Sequence, residues 1–455
     1  MGEERRGLRH DLLERYGTRA IPRYTSYPPA NHWRPLTPEE PARALGRIER
    51  PLSIYVHVPF CKSLCWYCGC NMLIDHRGEL VERYLSAIER EFELVSQLVP
   101  AEREVVQVHL GGGTPTHLSP AQLERLIGGL RRRFPWVKDV EASIEVHPPV
   151  TTQAQLETLA ALGFNRLSMG VQDFDPEVQE RINRRQPFEQ TRDLVAAARR
   201  LGFQSVNMDL MYGLPLQTVE RFGKTIELVR EIDPDRIALF GYAHMPTLKK
   251  HHRLLKAEEL PNAEGRLALL EFAIETLEAR GWELIGLDHF ARPHDELLKA
   301  RRDGTLRRNF MGYTTCRDSE VLAFGPSSIS EIDGTFLQSQ HDVRAWCGEL
   351  EAGRLAITRG WTPSEDDQLR RSLIMQLFCQ LDVDTKAFGS EHGIDFEAYF
   401  RDEVARLAVL ETDGLVRREP GHITLTAQGQ LLLRNVAHVF DAYSKGPPKT
   451  HAPAV

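Results

Sequence analysis

The chain has 455 residues, 42% of them hydrophobic and 27% charged, which is too long for one ordinary core and too apolar for disorder, so one large domain with smaller ones is expected. Its net charge of −7 argues against generic nucleic-acid binding while leaving room for a local basic pocket. No run of about 18 apolar residues occurs and the stretch from Met1 to Arg19 is rich in Arg and Glu, so neither a membrane span nor a signal peptide is expected and the protein is read as cytoplasmic.

Residues 1–50 read as an N-terminal arm with a helix. From 51 to 360 one theme repeats: a short β-branched or apolar run, a Gly or polar residue at its end, then an amphipathic helical stretch. Strands are predicted at Ile54 to Val58, Val106 to Leu110, Glu141 to Val146, Arg166 to Gly170, Val206 to Leu210 and Arg236 to Phe240. Leu80, Tyr84, Ile88, Phe92 and Val95 keep helical spacing between the first two, as do Leu123, Ile127 and Leu130 after the second. The fold class is therefore α/β, an incomplete (β/α)6 TIM-like barrel open at one side, whose functional groups should gather at the C-terminal strand ends. After Trp361 the character changes. A helix from Ser364 to Leu381 is followed by Leu410 to Leu415, by His422 to Gly429 and by an apolar helix from Gln430 to Val439, a mainly helical, winged-helix-like domain over 361–442. Such a unit reads the major groove in DNA-binding proteins, but this stretch is not strongly basic and no nucleic-acid partner is expected. Residues 443–455, with Lys-Gly-Pro-Pro, read as a mobile tail.

Four of the seven cysteines fall within ten residues, Cys61-Lys-Ser-Leu-Cys65-Trp-Tyr-Cys68-Gly-Cys70, directly after the first strand. A zinc knuckle takes paired C-x2-C units across a longer loop. A C-x3-C-x2-C arc instead caps three corners of an iron-sulfur cube and leaves the fourth iron open. Disulfides are disfavoured by the close spacing and by the three isolated cysteines, Cys316, Cys347 and Cys379, which fit a reducing compartment.

The second strand ends in Gly111-Gly112-Gly113-Thr114-Pro115-Thr116, where backbone amides can approach a ligand without Cβ interference. It is neither a Walker loop nor G-x-G-x-x-G, and alone it reads equally as a tight turn. Glu145, Gln172 and Asp209 stand at successive strand ends, where each can hydrogen-bond a ribose, a carboxylate or an adenine edge. Singly each reads as a loop cap or an ion-pair partner.

C-x3-C-x2-C after a strand, with an aromatic Tyr67 before its third cysteine, resembles the radical S-adenosylmethionine (SAM) superfamily. More narrowly, Arg23 to Pro28, Tyr55 to Cys61, Cys68 to Asn71, Gly111 to Thr116, Gly170 to Phe174, Asp209 to Pro215, Tyr242 to His244, Asp288 to Pro293 and Arg308 to Thr315 resemble the oxygen-independent coproporphyrinogen III oxidases, also called coproporphyrinogen dehydrogenases. The resemblance runs from about Tyr16 to about Ala442.

It implies oxidative decarboxylation of two propionates of coproporphyrinogen III to vinyls, giving protoporphyrinogen IX in anaerobic haem biosynthesis. The cofactors it implies are one 4Fe-4S cluster and two SAM molecules. Cys61, Cys65 and Cys68 would ligate the cluster. Tyr55, Gly112, Glu145 and Ile329 would contact the first SAM; Tyr67, Gly113, Thr114, Gln172, Arg184, Asp209 and Ala243 would line the second. Tyr55, His57 and Cys70 are the candidate catalytic residues, with Cys70, one residue beyond Cys68, expected to point off the cube. The resemblance makes the C-terminal domain a lid. It also implies an electron donor such as flavodoxin or ferredoxin, an unidentified acceptor, no membrane span and a monomer.

Plainer readings stand beside these. Tyr55 on a strand is by default a core aromatic, His57 a hydrogen-bonded core histidine, Arg184 a solvated helix-end charge, and Ile329 a buried aliphatic. Two positions depart from the family pattern: His147 stands where Asp is usual, and Met311 where Gln is usual. The four substrate carboxylates require a basic rim, for which Arg23, Lys249, Lys250, His251, His252, Arg292, Arg307 and Arg308 are candidates, the arginines first because a guanidinium pairs with a carboxylate bidentately. A haem-binding chaperone paralogue of the same superfamily and a zinc-stabilised binding module are the alternatives.

Overall fold

The computed structural model describes residues 7–76, 78–316 and 318–444. Six parallel strands alternate with five helices: β1 (Leu52–Val58), α1 (Glu79–Ser96), β2 (Val105–Gly112), α2 (Pro120–Arg133), β3 (Trp136–Val146), α3 (Gln153–Ala161), β4 (Arg166–Gln172), α4 (Phe188–Arg200), β5 (Ser205–Tyr212), α5 (Val219–Ile232) and β6 (Arg236–Gly241). The strands pair in chain order, β1 to β6, each parallel to the next. All six expected strands are present. Each runs one to five residues longer than expected, β3 most of all, where Trp136 to Val140 continue the strand.

After α6 (Ala263–Ala279), the short antiparallel β7 (Glu283–Ile285) and β8 (His289–Ala291) extend the β6 edge. A hairpin of β9 (Arg307–Asn309) and β10 (Gly312–Thr314) stands apart from the sheet. β11 (Glu320–Phe324) then returns to lie parallel to the far side of β1, followed by the antiparallel β12 (Ile329–Ile332), β13 (Thr335–Ser339), the helix α7 (Val343–Glu351) and β14 (Ile357–Trp361). A two-residue strand of the arm, Arg34–Pro35, completes the edge beside β14, so the expected six-stranded barrel is the centre of a 13-stranded open sheet.

The period-2 alternation of the strands decides which face meets the helices. Ile54, Val56 and Val58; Val108 and Leu110; Ala142, Ile144 and Val146; Leu167, Met169 and Val171; and Val206, Met208 and Leu210 are all buried in one core with Tyr84, Ile88 and Phe92 of α1 and Leu123, Ile127 and Leu130 of α2. The intervening residues face the barrel axis and are polar, so the interior is a lined cavity rather than the packed apolar layers of a closed barrel. Its floor is a polar ring. Ser53 bonds Gln107, Gln107 bonds Glu141 at 2.6 Å, Arg166 pairs with Glu141 at 3.1 Å, and Arg236 pairs with Asp295 and Glu296, each at 2.8 Å. Helix entries are fixed by side-chain caps, with reciprocal capping boxes at Ser119 with Gln122 and Thr152 with Gln155.

A second core holds the C-terminal unit, built from α8 (Glu365–Gln380), α9 (Arg401–Thr412) and the three-stranded sheet of Asp382–Asp384, Val416–Glu419 and His422–Leu425. The expected helix from Gln430 to Val439 is instead two short helices, Ala427–Leu431 and Leu433–Ala437, broken at Leu432 and ending in a 3-10 turn, His438–Phe440. Its apolar residues do not keep to one face, and the break lets Leu432, Leu433, Val436 and Ala437 all reach the core. The arm belongs to this core too: Leu12, Leu13, Tyr16, Ile21, Tyr24 and Tyr27 are buried in it, and Arg15 and Tyr16 bond Asp413 at 2.6 and 2.5 Å. Of the expected mobile tail, Tyr443 and Ser444 lie in a 3-10 turn and the remainder falls outside the described residues. No helix among the described residues is long and apolar enough to cross a membrane.

One buried carboxyl ties α1 to the sheet extension. Glu91 accepts from the backbone N–H of Gly325 at 2.8 Å and from Nε1 of Trp346 at 3.2 Å, and burial pushes it up to about 7. Its folded pKa lies above the unfolded 4.5, so the stabilisation is complete below about pH 4.5 and is lost as pH rises through about 7. Between pH 5 and 8 the wild type should lose about 2–3 kcal/mol more stability than Glu91→Gln. Urea unfolding across that range measures the difference, and parallel profiles would contradict it.

Candidate active site

The cysteine loop leaves β1 at Pro59 and is gripped by main-chain hydrogen bonds from several directions. From β2, Gly113 N–H donates to Val58 O at 2.9 Å and Thr114 N–H to Phe60 O at 2.8 Å. The hydroxyl of Thr114 then lies 3.4 Å from the Cys61 sulfur. The segment after β4 holds the middle of the loop: Trp66 N–H donates to Ile182 O at 2.9 Å, Asn183 Nδ2 to Leu64 O at 2.8 Å, and Arg184 Nη1 to the Cys65 sulfur at 3.6 Å. The segment after β6 holds its end, with His251 Nε2 on Cys68 O at 2.7 Å and Lys249 Nζ on Cys70 O at 3.4 Å. His57 fixes the exit, its Nε2 donating to Asn71 O at 2.8 Å while Tyr55 O–H lies 3.1 Å from its Nδ1.

This approach is possible only without side chains on the glycine run. A Cβ on Gly113 would stand 2.7 Å from Phe60 O and 2.9 Å from Phe60 N; one on Gly112, at φ +117°, would strike the His57 ring; one on Gly111 would meet Glu145 and Tyr55. The close approach at Gly111 to Gly113 is to the cysteine loop and to the His57, Glu145 and Tyr55 side chains.

The strand ends converge as expected. Glu145 Oε2 accepts from Gly112 N–H at 3.0 Å and its Oε1 lies 3.4 Å from His109 Nε2. The barrel interior disfavours its charge, yet His109 and the Gly112 amide outweigh this and hold its carboxyl below the ordinary range. Asp209 stands on the same axis-facing side of the sheet. It accepts from Asn207 Nδ2 at 2.8 Å, and burial together with the Glu145 charge pushes it up to about 6. The two carboxyls are thus shifted in opposite directions, Glu145 down and Asp209 up. Tyr55 stacks on His109, ring centroids 5.8 Å apart, and both line a cavity with His57, Glu145, Met311 and Ile329.

The thiols are not equivalent. Burial pushes Cys61 up to about 11. Cys68 is held below the usual thiol range, first by a hydrogen bond from Cys70 and then by Lys249 and Arg184 nearby. The Cys70 thiol is pushed well above the usual range by its neighbour Cys68 and by burial. Arg184 is not the solvated helix-end charge of the plainer reading: its guanidinium is buried and bonds Cys65 and Gly170 O, so it braces the loop itself. Burial disfavours its charge, but Tyr67, Cys65 and Cys68 outweigh this and hold it fully charged.

The fit of these residues to an iron-sulfur cluster and SAM rests on donor chemistry and on unsatisfied groups. Cys61, Cys65 and Cys68 supply three thiols in one C-x3-C-x2-C loop, the donor set for three corners of a 4Fe-4S cluster. Beside the loop, Gln172 Oε1, Arg184 Nε and His147 Nε2 are buried without protein partners. Gln172 is held there at φ +68°, at a bulge in the β4–β5 ladder. His147, pushed down to about 3 by burial and by Arg184, is neutral and offers no charge to that guanidinium.

Several candidates for the basic rim lie elsewhere. Lys249 and His251 hold the cysteine loop, and His252 is buried beneath Tyr242. Arg292 stacks 3.5 Å above Trp282 and pairs with Asp233 beyond the N-terminal end of β6, away from the mouth. Arg307 lines the largest cavity, about 1310 Å³, which lies beneath the barrel against α8 and includes none of the loop cysteines. Arg23 and Arg308 do face the mouth, joined by Arg266 and Arg434, which sequence reasoning missed. Arg266 lies in an otherwise ordinary helix start; the His109 contribution could have been seen from its parity with Gly111 on β2.

The radical SAM superfamily model matches residues 55–229, and the HemN C-terminal domain model matches residues 364–432. An oxygen-independent coproporphyrinogen III oxidase of Salmonella typhimurium is 44% identical over 435 residues, covering 95% of this chain and 94% of that protein. The Pseudomonas aeruginosa protein of the same name is 41% identical over 439 residues, covering 95% of each. The solved structure of Escherichia coli coproporphyrinogen III oxidase (HemN), described as a radical SAM enzyme, superposes with a TM-score of 0.90 at 42% identity, covering 93% of this chain and all of that one.

The glycine cradle gives a direct test. Gly113→Ala must displace the Phe60 backbone, at a cost of about 1–3 kcal/mol, and should retain markedly less iron after anaerobic reconstitution with unchanged helical content. Gly69→Ala, where an added Cβ meets nothing within 4 Å, should retain wild-type iron. Equal iron in the two variants would contradict the cradle.

Proposed function

The chain belongs to the oxygen-independent coproporphyrinogen III oxidases of the radical SAM superfamily, and on that premise we propose how its barrel mouth converts two propionates of coproporphyrinogen III to vinyls, giving protoporphyrinogen IX. The observation that carries the reading is the cysteine loop, held in one geometry by β2, by the segment after β4 and by the segment after β6. When bound, a 4Fe-4S cluster and SAM would supply the chemistry for abstracting a hydrogen atom from a propionate, with loss of carbon dioxide and one electron passing to an acceptor.

In this reading Cys61, Cys65 and Cys68 are the cluster ligands. Arg184, charged and bonded to Cys65, offsets the negative charge of the thiolates. Tyr55, Gly112, Glu145 and Ile329 receive the first SAM, with ionised Glu145 suited to a ribose hydroxyl or an ammonium group. Tyr67, Gly113, Thr114, Gln172, Arg184, Asp209 and Ala243 receive the second, and the unpartnered Gln172 Oε1 and Arg184 Nε are the polar atoms available to it. His57 has both ring nitrogens occupied by Tyr55 and Asn71, which supports a positioning role in place of direct catalysis. Cys70, hydrogen-bonded to Cys68 but outside the C-x3-C-x2-C arc, is the candidate for proton or hydrogen handling at the loop.

The domain reading is an arm over 1–50, a barrel with its extension over 51–360 and a lid over 361–442, the arm being joined to the lid by their shared core. All seven cysteines are free, in keeping with a reducing cytoplasm. A small electron donor such as flavodoxin or ferredoxin, an unidentified electron acceptor and a monomeric state complete the proposal.

Replacing Cys61, Cys65 or Cys68 with Ser should abolish the cluster absorbance of the reconstituted protein, since each removes a corner ligand. Cys70→Ser should keep most of the iron and lose turnover. Iron loss in Cys70→Ser as complete as in Cys65→Ser would mean four thiolates hold the metal and no corner is open.

A further inference from the structure

A cavity of about 200 Å³ opens at the C-terminal ends of β5 and β6, on the other side of Phe310 and Met311 from the pocket of Tyr55, Glu145 and Ile329. Its charged lining is one-sided. Arg23, Arg266, Arg308 and Arg434 face it, against the one carboxylate of Asp288, which is bonded to His289 at 2.5 Å. Three of these guanidiniums donate only to main-chain carbonyls: Arg23 to Gly241 O at 3.1 Å, Arg266 to Tyr242 O at 2.8 Å, and Arg308 to Tyr24 O at 2.9 Å and Arg23 O at 3.4 Å. None of the three pairs with a carboxylate among the described residues, and Nε of Arg308 is buried without a partner.

The strand ends are shaped around Arg266. A Cβ on Gly213, at φ +84°, would collide with its guanidinium, and one on Gly241 would come within 3.3 Å of Nη2. Burial pulls Arg266 below the usual guanidinium range and Arg434 to about 10, with Arg23 adding to both. Guanidiniums gathered in a partly desolvated space repel one another, and a carboxylate among them would relieve that repulsion and accept bidentate bonds. The volume suits an arm of a ligand, since whole drug-sized ligands occupy about 300–1,000 Å³.

We propose that this cavity is a carboxylate subsite, anchored by Arg266 with Arg308 and Arg23 at its mouth, that grips a propionate the reaction leaves intact. The inference rests on the functional reading above. Coproporphyrinogen III carries four carboxylates and loses two, so the two that persist need cationic partners that are not part of the reacting centre. Met311 lines this cavity, the pocket of Tyr55 and Glu145, and the barrel interior, so a tetrapyrrole anchored here extends past Met311 towards the cysteine loop.

The test titrates the full-length, anaerobically reconstituted protein with coproporphyrin III, the oxidised tetracarboxylate that cannot be turned over, and with its uncharged tetramethyl ester. Arg266→Gln should weaken coproporphyrin III binding about 30-fold, the lower end for loss of one partner of a buried charge pair. Arg266→Lys should recover part of it. The ester should bind wild type and Arg266→Gln alike, and the paramagnetic-resonance shift on adding SAM should be unchanged. Equal coproporphyrin III affinity in wild type and Arg266→Gln would overturn the proposal. So would loss of the SAM shift with tetrapyrrole binding retained, which would assign the cavity to the SAM carboxylate. Arg308→Gln, across the same cavity, gives the same reading should Arg266→Gln fail to fold. Wild-type protein that binds coproporphyrin III without consuming coproporphyrinogen III would sink the functional reading and leave the subsite standing; wild-type turnover with an unchanged KM in Arg266→Gln would sink the subsite alone.

Discussion

The mouth of this barrel depends on one backbone pairing, in which Gly113 and Thr114 donate to Val58 and Phe60 across the start of the cysteine loop. Only a residue without a Cβ lets β2 come that close, so the glycine run and the cysteine loop are one structural device. Its position is then copied outwards. Thr114 reaches Cys61, Gly112 orients Glu145, Glu145 raises Asp209, and His57 ties the loop exit back to β1. A ten-residue loop of free thiols would otherwise sample many conformations, at an ordering cost of about 1–2 kcal/mol per residue. Hydrogen bonds from the end of β2, from Ile182 to Arg184 and from Lys249 to His251 offset part of that cost.

The strand alternation makes such a mouth possible. Apolar residues on one parity bury the sheet against α1 to α5, which leaves the other parity free for polar groups along the axis. These groups satisfy one another in tiers. The floor ring from Ser53 to Arg236 closes the barrel bottom, His109 with Ser143 and Asn207 with Ser168 form the middle, and Glu145, Gln172 and Asp209 stand at the top. The largest cavity lies below this floor, against α8, so size alone would have led away from the chemistry.

The strands were legible because an apolar residue recurs at every second position, as one face buried under helices requires, and the cysteine motif because thiols at that spacing have one strong physical use. What was not legible depends on tertiary contact. Lys249 and His251 are rim candidates by charge, yet in the fold they are clamps on the loop carbonyls. Arg292 sits in a family motif, yet β8 runs antiparallel to β6 and carries it to the wrong end of the barrel. Arg266 gives no local signal, because its meaning comes from Gly213 and Gly241, some 25 to 50 residues earlier in the chain. The break at Leu432 reflects a helix buried on more than one side, a condition that periodicity cannot distinguish from an amphipathic helix with a wide face.

The central claim is that one barrel mouth performs two successive oxidative decarboxylations by SAM chemistry. Anaerobic incubation of reconstituted protein with coproporphyrinogen III, SAM and a reductant, with chromatographic separation of tetrapyrroles and of SAM products, tests it most directly. The account predicts protoporphyrinogen IX with two methionines and two 5′-deoxyadenosines formed per molecule, one set for each propionate. Cleavage of SAM with the tetrapyrrole recovered unchanged, or a ratio near one, would contradict it.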